Sequence, residues 1–293
     1  MSKEPRVTQE MIDAYDEYTH LTLDRRGFME KLSKLAGSGA TAVAVLPLIA
    51  ASPTQASIIS PSDQRVTSSK VSWQGAGGVM NGVLARPAGI EEKLPAILVI
   101  HENRGLNEHI KDVGRRLALD GFMTLSADFL SPDGGTPVDD EDAARDKIRA
   151  LEAQRTLNNA RLAVDYLANR DDCTGSVGAI GFCWGGGLVN NLAVVAPNLK
   201  AAVAYYGKQA DTSLVPQIKS PLMLHYAGED KRINAGIDDY KTALEQNGKE
   251  FVIYVYEGVN HAFNNDTSKA RYNKEAAELS WDRSVDFFDK KLK

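Results

Sequence analysis

From about residue 66 onward, short unbroken apolar runs alternate with stretches of helical spacing. Ala96-Ile97-Leu98-Val99-Ile100 is apolar throughout, the pattern of a strand buried on both faces. Strands are also predicted at Val79 to Arg86, closed by Pro87, at Phe122 to Ser126, at Ser176 to Gly181, at Ala201 to Tyr205, at Leu222 to Tyr226 and at Phe251 to Tyr256. Helical spacing covers Asp112 to Leu119, stopping at Gly121, and Leu188 to Val195. It also covers Glu141 to Asn169 with one break, Ile237 to Asn247 before Gly248, and Ala270 to Leu292. Such alternation predicts an α/β fold, a mostly parallel central sheet with helices on both faces. One domain, 66–293, fits without an internal linker.

Residues 1–65 break the pattern and read as an N-terminal tail. Asp24-Arg25-Arg26-Gly27-Phe28-Met29-Glu30-Lys31 precedes a weakly apolar run, Leu35 to Ala51, which leads to Thr54-Gln55-Ala56. Twin arginines, a modest apolar run and a small-residue exit make a twin-arginine export signal, and the expected localisation is periplasmic. The alternative is a buried or amphipathic helix after an ordinary Arg-Arg pair, in a cytoplasmic protein. Asp13, Asp16 and Glu17 upstream, and Glu30 inside the motif, count against export. The stretch 1–22 is long for the region before such a motif, which leaves room for part of the tail to persist in the folded protein. A Ser/Pro-rich linker, Ser52 to Ser69, joins tail and domain.

Composition narrows the class. The 293 residues are 43% hydrophobic and 25% charged, with a net charge of −5. That is globular and mildly acidic, without the basic footprint of a nucleic-acid binder. No stretch of the domain is apolar enough to span a bilayer, so stable membrane insertion is not expected. Cys173 and Cys183 are the only cysteines, too few for a disulfide framework or a zinc finger.

The chemistry centres on Gly181-Phe182-Cys183-Trp184-Gly185-Gly186-Gly187, at a predicted strand-to-helix junction. G-x-C-x-G in that place is a nucleophile elbow with Cys for Ser. The helix that follows aims its N-terminal dipole at the thiol and favours thiolate. Two histidines follow Cys183. His225 lies inside an apolar strand and suits the core. His261 follows Phe251 to Tyr256 in a loop, at the strand end where this kind of sheet places catalytic groups. The acid should lie after Leu222 to Tyr226, where Ala227-Gly228-Glu229-Asp230 offers Glu229 and Asp230, with Asp230 preferred. Cys173, in a polar turn, reads as an inert thiol.

These segments, with Asn260-His261-Ala262-Phe263, resemble the dienelactone hydrolase (carboxymethylenebutenolidase) family of the α/β-hydrolase superfamily, over about residues 66–293. The resemblance implies the α/β-hydrolase fold and a Cys183-Asp230-His261 triad that hydrolyses enol-lactones or related esters through a thioester. It implies that Glu102, in His101-Glu102-Asn103-Arg104-Gly105, contacts the resting thiol until substrate displaces it. A plain Glu102–Arg104 pair is the alternative. A zinc H-E-x-x-H site fails because position 105 is Gly. The backbone N–H groups of Trp184 and Asn103 would form the oxyanion hole. Tyr205 and Tyr206 resemble pocket-lining aromatics, although core packing suits them equally. The family's substrate-binding Arg, four residues after the histidine, is Asn265 here, and Asp266 beside it would repel an anion. Arg104 or Arg145 could hold a carboxylate instead.

The expected partner is a small-molecule ester or lactone. No cofactor and no metal ligand set are expected, and the one G-x-G start, Gly75-Ala76-Gly77, fails at Met80. Two other functions fit a reactive thiol: a Cys-dependent peptidase or acyltransferase on the same fold, and a non-catalytic redox or binding protein.

Overall fold

The computed structural model describes residues 6–20, 23–50 and 57–293. Three helices come first: α1 (Gln9–Thr19), α2 (Arg25–Ala36) and α3 (Gly39–Ile49). Then come β1 (Val66–Gly75), β2 (Gly78–Pro87), β3 (Leu94–Ile100), α4 (Glu108–Leu119) and β4 (Met123–Asp128). Next are α5 (Glu141–Ala150), α6 (Ala153–Ala168), β5 (Cys173–Phe182), α7 (Trp184–Val195) and β6 (Ala201–Tyr205). The chain closes with β7 (Leu222–Ala227), α8 (Lys231–Asn234), α9 (Ile237–Gln246), β8 (Phe251–Tyr256) and α10 (Lys274–Leu292).

The eight strands form one sheet in the order β1-β2-β4-β3-β5-β6-β7-β8. β1 and β2 pair antiparallel, as do β2 and β4, and the remaining pairs are parallel. Alternation of side chains explains the unbroken apolar runs. Ala96, Leu98 and Ile100 of β3 face a layer that includes Val164 of α6 and Leu192 of α7. Ile97 and Val99 face Val113 of α4 and Phe288 of α10 on the other side. Each such fully buried aliphatic side chain is worth about 1.5–3 kcal/mol over an exposed one.

Caps move several predicted boundaries. Asn107 accepts from Ile110 N at 3.1 Å, so α4 starts before Asp112. Asn273 accepts from Ala276 N at 3.0 Å, so α10 starts after Ala270. The break predicted between Glu141 and Asn169 falls at Leu151, and Glu152 caps the second helix through Gln154 N and Arg155 N, at 2.8 and 2.6 Å.

The tail is folded onto the domain. Tyr15, Tyr18, Phe28, Leu32, Val45 and Ile49 make a core of their own. Arg25 and Arg26 begin α2, capped by Asp24, which accepts from Gly27 N at 2.7 Å. The weakly apolar run bends by 106° between α2 and α3, and no single helix among the described residues is long and apolar enough to cross a membrane. The predicted exit, Thr54-Gln55-Ala56, lies outside the described residues, and β1 already begins inside the expected linker.

Candidate active site

The carboxyl ends of the parallel strands meet at one edge of the sheet, the place where open α/β sheets bind ligands. β3 leads into Glu102, β5 into Cys183, β6 into Tyr206, β7 into Asp230 and β8 toward His261.

Cys183 sits at the N-cap of α7 with φ 56° and ψ −115°. A non-glycine residue there costs about 1–3 kcal/mol and persists only where its surroundings enforce it. They do so by close packing. A Cβ at Gly181 would lie 2.2 Å from Gly185 O, and one at Gly185 would lie 2.5 Å from Ile100 O. The Cys183 N–H donates to Tyr205 O at 3.0 Å, which fixes the turn. Tyr206 and Ala262 also have positive φ, 38° and 63°, so strained backbone clusters around the sulfur.

Asp230 Oδ2 lies 2.5 Å from His261 Nδ1. Its other oxygen accepts from Ile233 N at 3.2 Å, which pins the carboxylate to α8. Glu229 is exposed and Asp230 is buried, so the local choice between them falls on Asp230. Burial works against a charged His261, but Asp230 and the Cys183 sulfur outweigh it and raise His261 to about 10. His225 is a core residue, between Tyr256 Oη at 3.0 Å and Ser284 Oγ at 3.1 Å, and burial lowers it to about 3. Cys173 is buried at the start of β5, at the end opposite the elbow, where burial pushes its thiol up.

A cavity of about 550 Å³ opens over the thiol, lined by Cys183, His261, Tyr206, Trp184, Asn103 and His20. Trp184 is the first residue of α7, so its N–H has no intrahelical acceptor. A larger groove of about 640 Å³, alongside β1, β2 and α4, holds Arg104 and Asp266 but neither Cys183 nor His261.

Other expected residues are placed differently. Tyr205 is fully buried, with its hydroxyl 2.8 Å from Ser284 Oγ, and lies outside the cavity lining. Glu102 accepts from Asn265 Nδ2 at 2.7 Å, and no hydrogen bond joins it to the thiol. Burial opposes its charge, yet Arg104, His109 and Arg271 hold its carboxyl below the usual range. Asp266 does not face the cavity; it pairs with His109 at 2.9 Å and Arg116 at 3.0 Å. Arg104 and Arg145 are both engaged by the tail, through Tyr15 Oη and Tyr18 Oη, each at 3.2 Å.

The thiol's hydrogen-bond partner comes from the tail. His20 Nε2 lies 3.5 Å from Cys183 Sγ, and its ring meets that of His261 edge-on, 4.6 Å between centroids. Burial, with His261 and Arg232 nearby, takes His20 well below the ordinary histidine pKa. Asp16 pairs with Arg271 at 3.0 Å, and Asn103 Nδ2 donates to Thr19 O at 2.7 Å. Sequence reasoning missed His20 and Arg271. The one available signal was the acidic character of α1, which fits poorly with export and well with a buried arginine.

Comparison with known proteins agrees with this architecture. A protein of Escherichia coli named "Putative carboxymethylenebutenolidase" is 30% identical over 254 residues, covering 82% of this chain and 93% of its own. A Bradyrhizobium protein named "Probable 2-oxo-3-(5-oxofuran-2-ylidene)propanoate lactonase" is 28% identical, over 69% of this chain and 86% of its own. The crystal structure of a "Putative Dienelactone Hydrolase" from Klebsiella pneumoniae superposes with a TM-score of 0.68 at 26% identity, covering 76% of this chain and 98% of the other. The sequence model described as "Dienelactone hydrolase family" matches residues 80–292. With that match over most of its length, the chain belongs to the dienelactone hydrolase family of the α/β-hydrolase superfamily and is a hydrolase of that class.

Proposed function

We propose that the protein hydrolyses an ester or enol-lactone through Cys183, His261 and Asp230, by way of a thioester. The observation that carries this reading is the convergence of the three at strand ends, with Asp230 on the Nδ1 side of His261 and the sulfur on a strained elbow. The thiolate attacks the carbonyl carbon, and the N–H groups of Trp184 and Asn103 bind the oxyanion. As the C–O bond breaks, the leaving oxygen takes the Nε2 proton of His261. Water then gives a proton to His261 and attacks the thioester, which releases the acid and returns the thiolate. Asp230 holds the imidazole ring and favours its charged form throughout. A thiolate leaves more easily than an ordinary alkoxide, so an activated substrate such as an enol ester suits this site.

An ester and lactone panel tests the proposal. Cys183→Ala should lower turnover by about 10⁴-fold or more with the fold intact. Cys173→Ala should leave it unchanged. Turnover by Cys183→Ala within threefold of wild type overturns the triad.

For localisation we propose twin-arginine export, supported by Arg25 and Arg26 ahead of the apolar α3. The tail is proposed to stay with the active protein, because cutting near residue 56 would remove His20 from Cys183.

A further inference from the structure

Two histidines in edge-on contact neighbour Cys183, and each ring is held at Nδ1 by a second neighbour. His20 Nδ1 lies 2.7 Å from Asp16 O. A carbonyl oxygen only accepts, so Nδ1 carries the hydrogen and Nε2 keeps its lone pair toward the sulfur. His261 Nδ1 is likewise held, by Asp230. The ligand atoms of His20, Cys183 and His261 all lie within 4.8 Å of one another.

We propose that His20 Nε2, Cys183 Sγ and His261 Nε2 form a binding site for a thiophilic divalent cation, zinc foremost. Two imidazoles and a thiolate are a donor set for zinc, and three protein ligands leave its fourth tetrahedral position for water. All three residues line one cavity, which has room for that water. Bond lengths to zinc put nitrogen and sulfur about 3.6 Å apart on a tetrahedron. The 3.5 Å between His20 and Cys183 already matches this separation, and the ligand atom of His261 lies within 4.8 Å of both. Metal-bound histidines ordinarily donate their other ring N–H to a carbonyl or carboxylate, the arrangement found on both rings here.

Binding forms one metal–sulfur and two metal–nitrogen bonds and releases one proton to solvent, from the thiol or from His261 Nε2. Nothing is oxidised or reduced. The bound ion would occupy the nucleophile and lock α1 over the cavity, so it would inhibit the enzyme reversibly. Inhibition rests on the proposed hydrolysis, whereas metal uptake does not.

The test uses the full-length protein with cobalt(II) as a spectroscopic probe and zinc as competitor. Wild type should bind one equivalent, with a sulfur-to-cobalt charge-transfer band, the visible bands of four-coordinate cobalt and release of one proton. Cys183→Ala should lose the charge-transfer band. His20→Ala should weaken binding at least about tenfold. His20→Gln, which keeps a polar side chain of similar size on the tail, should do the same. In ester assays zinc should inhibit wild type at concentrations that spare both His20 variants. No cobalt uptake by wild type, a band that survives Cys183→Ala, or wild-type affinity in both His20 variants overturns the site. A protein that shows the cobalt spectrum but hydrolyses no ester would refute the hydrolysis reading and leave the metal site standing.

Discussion

Asn265 donates to Glu102 Oε2 at 2.7 Å, with both side chains buried. The residue standing at the family's substrate-binding arginine therefore holds the carboxylate expected on the thiol. Arg104, His109 and Arg271 add to the hold on Glu102.

A split between stability and reactivity follows. Glu102→Gln weakens the buried bond from Asn265 and removes the charge that Arg104, His109 and Arg271 favour, and should cost about 1–3 kcal/mol of stability. The rate of Cys183 alkylation by iodoacetamide near neutral pH should change by less than about threefold, equivalent to under 1 kcal/mol. Denaturant unfolding and alkylation kinetics on the two proteins check this. An alkylation rate raised tenfold would put Glu102 back on the thiol.

Asp230 and Glu229 are adjacent but differently placed. Asp230→Asn should lower ester turnover by about 10⁴-fold, as expected when the partner of a catalytic histidine loses its charge. Glu229→Gln, on an exposed side chain, should stay within twofold of wild type. Steady-state kinetics of the pair decide it, and equal losses would remove Asp230 from its role.

Asp266 makes acid sensitivity predictable. Burial raises its pKa, but His109 and Arg116 outweigh that, and the net shift is downward. A carboxylate with a depressed folded pKa contributes stability above its unfolded value of about 3.9, and loses it as pH falls through the folded value. Asp266→Asn should therefore cost about 1–3 kcal/mol at neutral pH. The gap to wild type should close as the pH drops below about 4. Urea unfolding at several pH values measures it, and a pH-independent gap would show that packing rather than charge is at stake.

Export can be read cleanly because the twin arginines are weakly tied to the fold. Their side chains are 71% and 88% exposed, paired with Asp142 and Glu30 respectively. Exposed pairs of this kind are worth about 0–1 kcal/mol, so Arg25→Lys plus Arg26→Lys should fold normally while the protein accumulates in the cytoplasm. Fractionation with mass measurement of the N-terminus checks both location and tail. Wild type found in the cytoplasm with its N-terminus whole would refute export.

The central strands were legible because burial on both faces demands unbroken apolar runs, as in Leu94–Ile100. The first strand was not. Val66–Gly75 lies at the sheet's edge and is largely exposed, so its sequence carries little apolar pattern. Helix α7 was read short because its first turn is glycine-rich, and those glycines serve the elbow rather than helix propensity. Cys183, Asp230 and His261 were legible because each follows a readable strand. His20 was not, since nothing local marks a residue that meets its partner across 163 positions of chain. Tyr205 and Tyr206 were left open between core and pocket because, at a strand end, one residue decides between them; Tyr205 takes the core side and Tyr206 the cavity side.

The docked tail also imposes an order in time. Asp16 and Ile49 are made early, whereas their partners Arg271 and Ser268 stand 255 and 219 positions later. A chain grows from its N-terminus, and domains fold as they emerge. During synthesis, then, α1 can pack on α2 and α3 at once, but its ion pair with Arg271 waits until almost the whole enzyme exists. Full seating of the tail beside Cys183 thus marks the completion of the fold, and a truncated chain ending before Ser268 would lack the two contacts that tie Asp16 and Ile49 to the last part of the domain.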